Sequence, residues 1–228
     1  MYRPILISLL ILTATGCSTN PTDPYQSLNR KLFSVNEAVD RVALRPVSQE
    51  YSNVTPDLVK RSVHNFFLNL IEPLTIINQL LQGELKLGAQ DTTRWIVNTT
   101  IGLGGLADVA RKVGLERHSE DFGQTLGRWG ISSGPYLVIP FYGPTTLRDG
   151  FGDILGGYLY PPNYLKSNGA RNAYYAARVI DTRASLLGID QLITGDEYLF
   201  LRDAYLQNRE FQVHGKVEDN DPFLDEDF

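Results

Sequence analysis

Apolar residues recur every three to four positions through most of this chain, and proline and glycine cut that rhythm into segments. Leu28, Leu32, Val35, Val39 and Val42 share one helical face after Asp23-Pro24. An amphipathic helix is therefore predicted over 25–44, with Asp23 as its cap, Pro24 as its first residue and Pro46 as its end. Thr55-Pro56-Asp57 reads as a second start, and Val59, Val63, Phe66, Phe67 and Leu70 carry that helix to Glu72-Pro73. A short third helix is expected over 74–82, closed by Gly83, and a fourth over 86–100, with Trp95 and Ile96 in its apolar part. Gly102, Gly104 and Gly105 predict a turn, with short helices over 106–113 and from a Ser119 cap to Leu126. Further on, 145–155 reads as helical and 158–165 as a proline-broken aromatic link. Asn168 is the expected cap of a helix over 170–187, and Gly195-Asp196 starts the last one, with Tyr198, Leu201, Tyr205 and Phe211 in register. No strand alternation, internal repeat or heptad stands out, so the predicted class is all-α.

One stretch breaks the rhythm. From Trp129 to Leu147 there is no charged residue. An uncharged run of that length first raises a membrane span, but Gly134-Pro135, Pro140 and Gly143-Pro144 would each break a helix, and the apolar pieces between them are too short to cross a bilayer. Compact domains rarely keep such a loop without a use for it. It is either buried against the core or turned toward something apolar.

The ends differ from the middle. Met1-Tyr2-Arg3 is a short basic region, 5–12 is apolar, and Ala14-Thr15-Gly16-Cys17 ends in small residues, which together read as a secretory signal peptide. Its end resembles a bacterial lipobox, in which the cysteine is acylated and becomes the mature N-terminus. Ala14 departs from the leucine usual there. Cys17 is the only cysteine in the chain, which excludes an intrachain disulfide and a cysteine-based zinc site. The expected organisation is a signal peptide at 1–16, a lipidated tether at 17–22, a helical domain at 23–215 and an acidic, disordered tail at 216–228. A formal net charge of −5 gives no sign of a nucleic-acid partner.

Two catalytic-looking patterns fail on context. Gly130-Ile131-Ser132-Ser133-Gly134 fits the nucleophile-elbow pattern, with His214 as a conceivable partner, but the elbow needs a strand before its serine and a helix after it. The run Gly102-Leu103-Gly104-Gly105-Leu106-Ala107, with Glu120 at an acidic spacing, fits a dinucleotide fingerprint but has no βαβ setting. His64, His118 and His214 form no spaced metal motif. No catalytic residue, metal or cofactor is assigned.

Several spaced blocks together are distinctive: Asn29-Arg30, Phe33 and Asn36; Asn65-Phe66-Phe67 with Asn69 and Glu72-Pro73; Asn78 with Leu81-Gln82-Gly83; Asn98-Thr99 with Gly102 and Gly105; the run from Phe122 to Gly127; Gly134-Pro135-Tyr136; and Leu147-Arg148-Asp149. From about Asp23 to about Phe211 the chain resembles the MlaA (VacJ) family of outer-membrane lipoproteins. That resemblance implies a ring-like helical fold lying in the inner leaflet of the outer membrane, with an amphipathic passage for glycerophospholipids. It also implies removal of phospholipids mislocalised to the outer leaflet, hand-over to a soluble periplasmic lipid-carrier protein, association with trimeric porins and no catalysis. An adaptor that docks partners without passing lipid is the alternative. Within the resemblance, Gly134, Pro135, Pro140 and Gly143 would shape a hairpin-like loop at the passage, and Tyr136, Leu137, Val138, Ile139, Phe141 and Tyr142 would meet acyl chains. Core packing of those apolar residues is equally open. Arg148 and Asp149 are expected to form a local structural pair. The helical asparagines either tie helices together or line the polar side of the passage.

Overall fold

The computed structural model describes residues 21–188, 190, 193 and 195–215. The signal segment, Cys17 and the acidic tail lie outside these.

The first helix is longer than its proline predicts. It runs as α1 (Gln26–Val39), a π-helical turn (Asp40–Leu44) and α2 (Arg45–Val54), without a break. In an α-helix the Pro46 ring would strike the carbonyl four residues back; the widened turn, in which the Arg45 amide reaches back to the Asp40 carbonyl, displaces it. Asp23 does not cap the helix. Its buried carboxylate instead accepts hydrogen bonds from the Asn29 amide at 2.9 Å and the Tyr198 hydroxyl at 2.5 Å. α3 (Asp57–Leu81) likewise runs through Pro73, so the two helices expected at 57–72 and 74–82 are one. α4 (Leu85–Thr100) is as predicted.

A glycine turn leads to α5 (Val109–Lys112), and α6 (Phe122–Arg128) is capped by Asp121 rather than Ser119, its carboxylate accepting from the Gln124 amide at 2.8 Å. The fold is otherwise helical, as expected, and the uncharged stretch supplies its one short sheet among the described residues, at the expected hairpin-like loop. β1 (Tyr136–Ile139) and β2 (Gly143–Thr146) form an antiparallel hairpin in which Tyr136 faces Thr146 and Ile139 faces Gly143. Thr146 caps α7 (Leu147–Leu159), and a 3-10 turn (Pro161–Tyr164) follows. Ser167, not Asn168, caps α8 (Asn168–Leu186); Asp196 caps α9 (Glu197–His214).

The distribution of polarity is inverted. Among the described residues eight apolar side chains are buried against eighteen polar or charged ones. In α3 the buried residues are Phe67, Asn69, Glu72, Thr75, Asn78 and Gln79, and in α4 they are Gly88, Asp91, Arg94 and Asn98. Those polar stripes meet where the helices pack: Gln79 donates to Asp91 at 2.5 Å, Asn69 to Thr99 at 3.0 Å, and Glu72 faces Arg94 at 3.4 Å. Meanwhile Val42, Leu58, Leu85, Leu103 and Tyr158 are at least two-thirds exposed. The small apolar core lies elsewhere, where Tyr136 and Val138 pack on Tyr198 with Leu32, Phe33 and Tyr205 around them. No described helix is long and apolar enough to cross a membrane.

Candidate functional site

The hairpin is built into α1 by two asparagines. Asn29 donates to the Tyr136 carbonyl and accepts from the Val138 amide, both at 3.0 Å. Asn36 repeats the pattern, donating to the Ile139 carbonyl at 3.0 Å and accepting from the Phe141 amide at 2.7 Å. Asn29 thus stands in for the peptide group of a missing neighbouring strand, while Asn36 ties down the hairpin tip, where the Ile139 carbonyl also accepts from the Tyr142 amide at 3.2 Å. The free edge of β1 is thereby closed, which an exposed strand edge requires.

This clasp divides the expected acyl-contact residues. Tyr136 and Val138 are 1% and 4% exposed and belong to the protein core, so their assignment to the passage is corrected. Leu137 is half-buried opposite Thr145, and Ile139 is exposed. Pro140, Phe141 and Tyr142 form the tip between the strands, with Phe141 81% exposed in a left-handed conformation (φ 62°). Gly134 before β1 and Gly143 at the start of β2 take positive φ values, and the Pro135 carbonyl accepts from the Leu147 amide at 3.2 Å.

Phe141 and Tyr142 reach a cavity of about 850 Å³. Around it stand Ile71, Leu74 and Asn78 of α3, Phe122 of α6, the glycine side of α7, Tyr160 and Asn163 of the turn after it, and the inner face of α8. Apolar walls come from Leu44, Ile71, Leu74, Phe122, Val179 and Leu186; polar groups come from Glu120, Asp121, Asp153, Arg178 and Arg183. The volume lies within the range of ordinary ligand cavities, about 300–1,000 Å³. Arg183 is held by Asp40 at 2.7 Å and Asp190 at 2.8 Å, and these bonds, Asp40 first, raise its pKa above the usual guanidinium value against the opposing cost of burial. The Tyr142 hydroxyl donates to Asp153 at 2.5 Å; burial and then that carboxylate push the phenol up, and burial raises Asp153 as well.

Behind the hairpin, Arg148 and Asp149 are the expected structural pair, with a 3.0 Å bond, and they are buried. The pair extends into a cluster. Arg209 of α9 binds Asp149 at 2.9 Å and Asp121 at 2.6 Å, and Tyr205 donates to Asp149 at 2.9 Å. Burial alone would raise both carboxyls, but their bonds to Arg209 outweigh it and hold Asp149 and Asp121 below the usual range. The cluster locks α6, α7 and α9 together beside the cavity. Of the helical asparagines, Asn78 alone among the six lines this cavity; Asn69 and Asn98 tie neighbouring segments, Asn98 through Asp108 at 3.0 Å. Asp153, Tyr175, Arg178 and Arg183 were not singled out from the sequence. The spacing of Gly152, Gly156 and Gly157 along one helix was the available signal, since it strips a strip of that helix of side chains.

The catalytic-looking motifs resolve into packing and turns. Ser132 lies between a helix and a strand, in that order, the reverse of the nucleophile elbow. The glycine run after α4 follows a helix, not a strand. A Cβ at Gly102 would lie 2.3 Å from the Ala107 carbonyl, and one at Gly105 would lie 2.4 Å from Asn69 Cβ. Among the described residues no group of three histidines, cysteines or carboxylates is placed to hold a metal ion.

The family model described as MlaA lipoprotein matches residues 21–212. The chain is 35% identical over 224 residues to the Escherichia coli protein named intermembrane phospholipid transport system lipoprotein MlaA, covering 92% of this chain and 89% of that one. It is 36% identical over 195 residues to an uncharacterised protein of Rickettsia typhi, covering 84% of this chain and 78% of the relative. A solved structure concerned with the structural basis for maintenance of bacterial outer membrane lipid asymmetry superposes with a TM-score of 0.75 at 36% identity, covering 84% of this chain and 99% of that one. With a match that takes in the clasp, the hairpin and the walls of the cavity, the chain belongs to the MlaA lipoprotein family.

Proposed function

We propose that this chain is an outer-membrane component of a phospholipid transport system and that the 850 Å³ cavity is its lipid passage. The observation that carries this reading is the inverted polarity: an apolar exterior around a polar interior suits a protein immersed in one leaflet, with acyl chains as its solvent. Acyl groups on Cys17 would serve as its anchor in that leaflet. The cavity joins apolar walls to charged groups, as a molecule with two tails and a polar head requires. Phe141 and Tyr142, at the tip of a hairpin clasped to α1, stand at its edge where they meet acyl chains. Glycerophospholipids mislocalised to the outer leaflet enter, pass the tip and leave toward a soluble periplasmic carrier; a trimeric porin is the expected neighbour in the membrane. The chain itself performs no catalysis. The name carried by the Escherichia coli relative supports the transport assignment.

The test places a photo-crosslinker at Phe141 in living cells and identifies the adducts by mass spectrometry. Phospholipid adducts that vanish when Cys17 is replaced are the expected result. Protein adducts alone, at a tip this exposed, would favour a docking adaptor and overturn the passage.

A further inference from the structure

The cavity wall carries one acidic and one basic side chain that form no ion pair among the described residues. Asp153 projects from α7 beside the hairpin tip, and Arg178 projects from α8 beside the aromatic turn; both line the cavity. Among the described residues neither has an opposite charge within ion-pair distance, whereas Arg183 on the same wall is engaged by Asp40 and Asp190. Arg178 is instead set by aromatic contacts. Its guanidinium lies 5.2 Å from the Tyr160 ring centroid and donates to the Tyr160 hydroxyl, which also bonds Tyr174. A guanidinium fixed in this way keeps several donors free for an anion, in the fork geometry that suits a phosphate. Asp153 receives one hydrogen bond, from Tyr142, and keeps its remaining lone pairs for a second donor.

The wall between them is bare. Gly156 and Gly157 line the cavity between Asp153 and Tyr160, and a Cβ at Gly157 would meet nothing within 4 Å. From Asp153 to Tyr160 the helix rises about 10 Å. A phosphate and an ammonium joined by two carbons, each at hydrogen-bond distance from its partner, span a gap of this order. We infer that Arg178 and Asp153 form a head-group subsite for zwitterionic phospholipids, with the phosphodiester on Arg178 and the ammonium on Asp153. The inference rests on the lipid-passage reading above and adds a preference to it: a lipid with a neutral alcohol head group keeps the Arg178 contact but leaves Asp153 without a cation.

The experiment uses the full-length lipoprotein reconstituted in nanodiscs of equal parts phosphatidylethanolamine and phosphatidylglycerol, with retained lipid counted by native mass spectrometry. One half-wet ion pair predicts a phosphatidylethanolamine preference of about three- to fivefold in the wild type. Asp153→Asn brings that ratio to near one by lowering phosphatidylethanolamine retention toward that of phosphatidylglycerol. Arg178→Gln lowers occupancy by both lipids, and Arg178→Lys, which keeps the charge, restores part of it; melting curves taken alongside identify any variant that fails to fold, and the charge-retaining lysine variant then decides. Equal retention of the two lipids by the wild type, or a preference that survives Asp153→Asn, overturns the subsite while leaving the passage standing. A wild type that retains neither lipid overturns both.

Discussion

Replacing Asn29 by leucine, a side chain of similar size, removes the inner half of the clasp between α1 and β1. Three hydrogen bonds go with it: those to the Asp23 carboxylate, the Tyr136 carbonyl and the Val138 amide. The last two are backbone groups beside core residues, where no other strand or side chain is placed to take over. A buried group left unsatisfied costs about 1–3 kcal/mol, so two of them, less some relaxation, give a loss of about 2–4 kcal/mol against a total stability of about 5–15 kcal/mol. For a chain of this size that is a fall in Tm of roughly 5–15 °C. Asn36→Ala is the internal control. It removes the same pair of bonds two turns further on, where they are exposed and water replaces them, so its cost is about 0.5–1.5 kcal/mol, expressed as faster hydrogen exchange at Phe141 rather than as global unfolding. Thermal unfolding followed by circular dichroism in one fixed detergent measures both. A leucine variant within about 0.5 kcal/mol of wild type, or equal losses from the two variants, would refute the claim that Asn29 replaces a strand.

Arg209→Ala leaves Asp121 without its cation and Asp149 with Arg148 alone, and is expected to cost about 3 kcal/mol at neutral pH. Because both carboxyls have folded pKa values below their unfolded ones, that stabilisation is present above about pH 4 and lost as pH falls through the folded values, so denaturation curves of wild type and variant should converge in acid. Glu72 works in the opposite sense. Burial outweighs Arg117 and Arg94 and raises its pKa to about 7, so the folded state holds a proton the unfolded state has lost, and wild-type stability should fall as pH rises from the ordinary glutamate range to about 7. Glu72→Gln should abolish that slope, worth at most about 3 kcal/mol, and a slope that persists in the variant would assign it to another group. Gly105→Ala forces a Cβ into Asn69 at a φ of +91° and should cost about 2 kcal/mol or more in urea unfolding. Val138→Asp should prevent folding, since Val138 is core, whereas Phe141→Asp should leave the melting curve unchanged and alter only lipid contact.

Helix positions were largely legible in the sequence because apolar spacing survives inversion: a stripe of leucines has the same period whether it faces protein or lipid. Which face is buried was not legible. The apolar stripe of α3 gives no sign of which way it faces; only Phe67 of it is buried, beside Asn69, Glu72, Thr75, Asn78 and Gln79, and the unusual density of asparagine and glutamine within helices is the one hint of this. Pro46 and Pro73 were misleading for a related reason. Local sequence marks a missing amide and a clashing ring, but a π turn and long-range packing of the same helix settle whether the chain stops. The hairpin was visible as an uncharged, glycine- and proline-cut stretch but not as strands, because the groups that complete β1 lie over a hundred residues earlier in Asn29 and Asn36. Arg178 and Asp153 carry no local signature at all. They acquire meaning only when α7 and α8 enclose the same space.

The exposed apolar rim makes amphiphile a participant in the folding equilibrium. A molecule that binds the native surface and not the unfolded chain shifts stability by mass action, so the melting temperature of this protein is a function of its surroundings: highest in a leaflet, lower in micelles and lowest in water. In water the same rim is an adhesive surface of the kind that drives aggregation. Anything that holds the folded chain in water must cover the rim until lipid replaces it. Delivery and maturation are on this account one event, because the membrane supplies the last component of the fold.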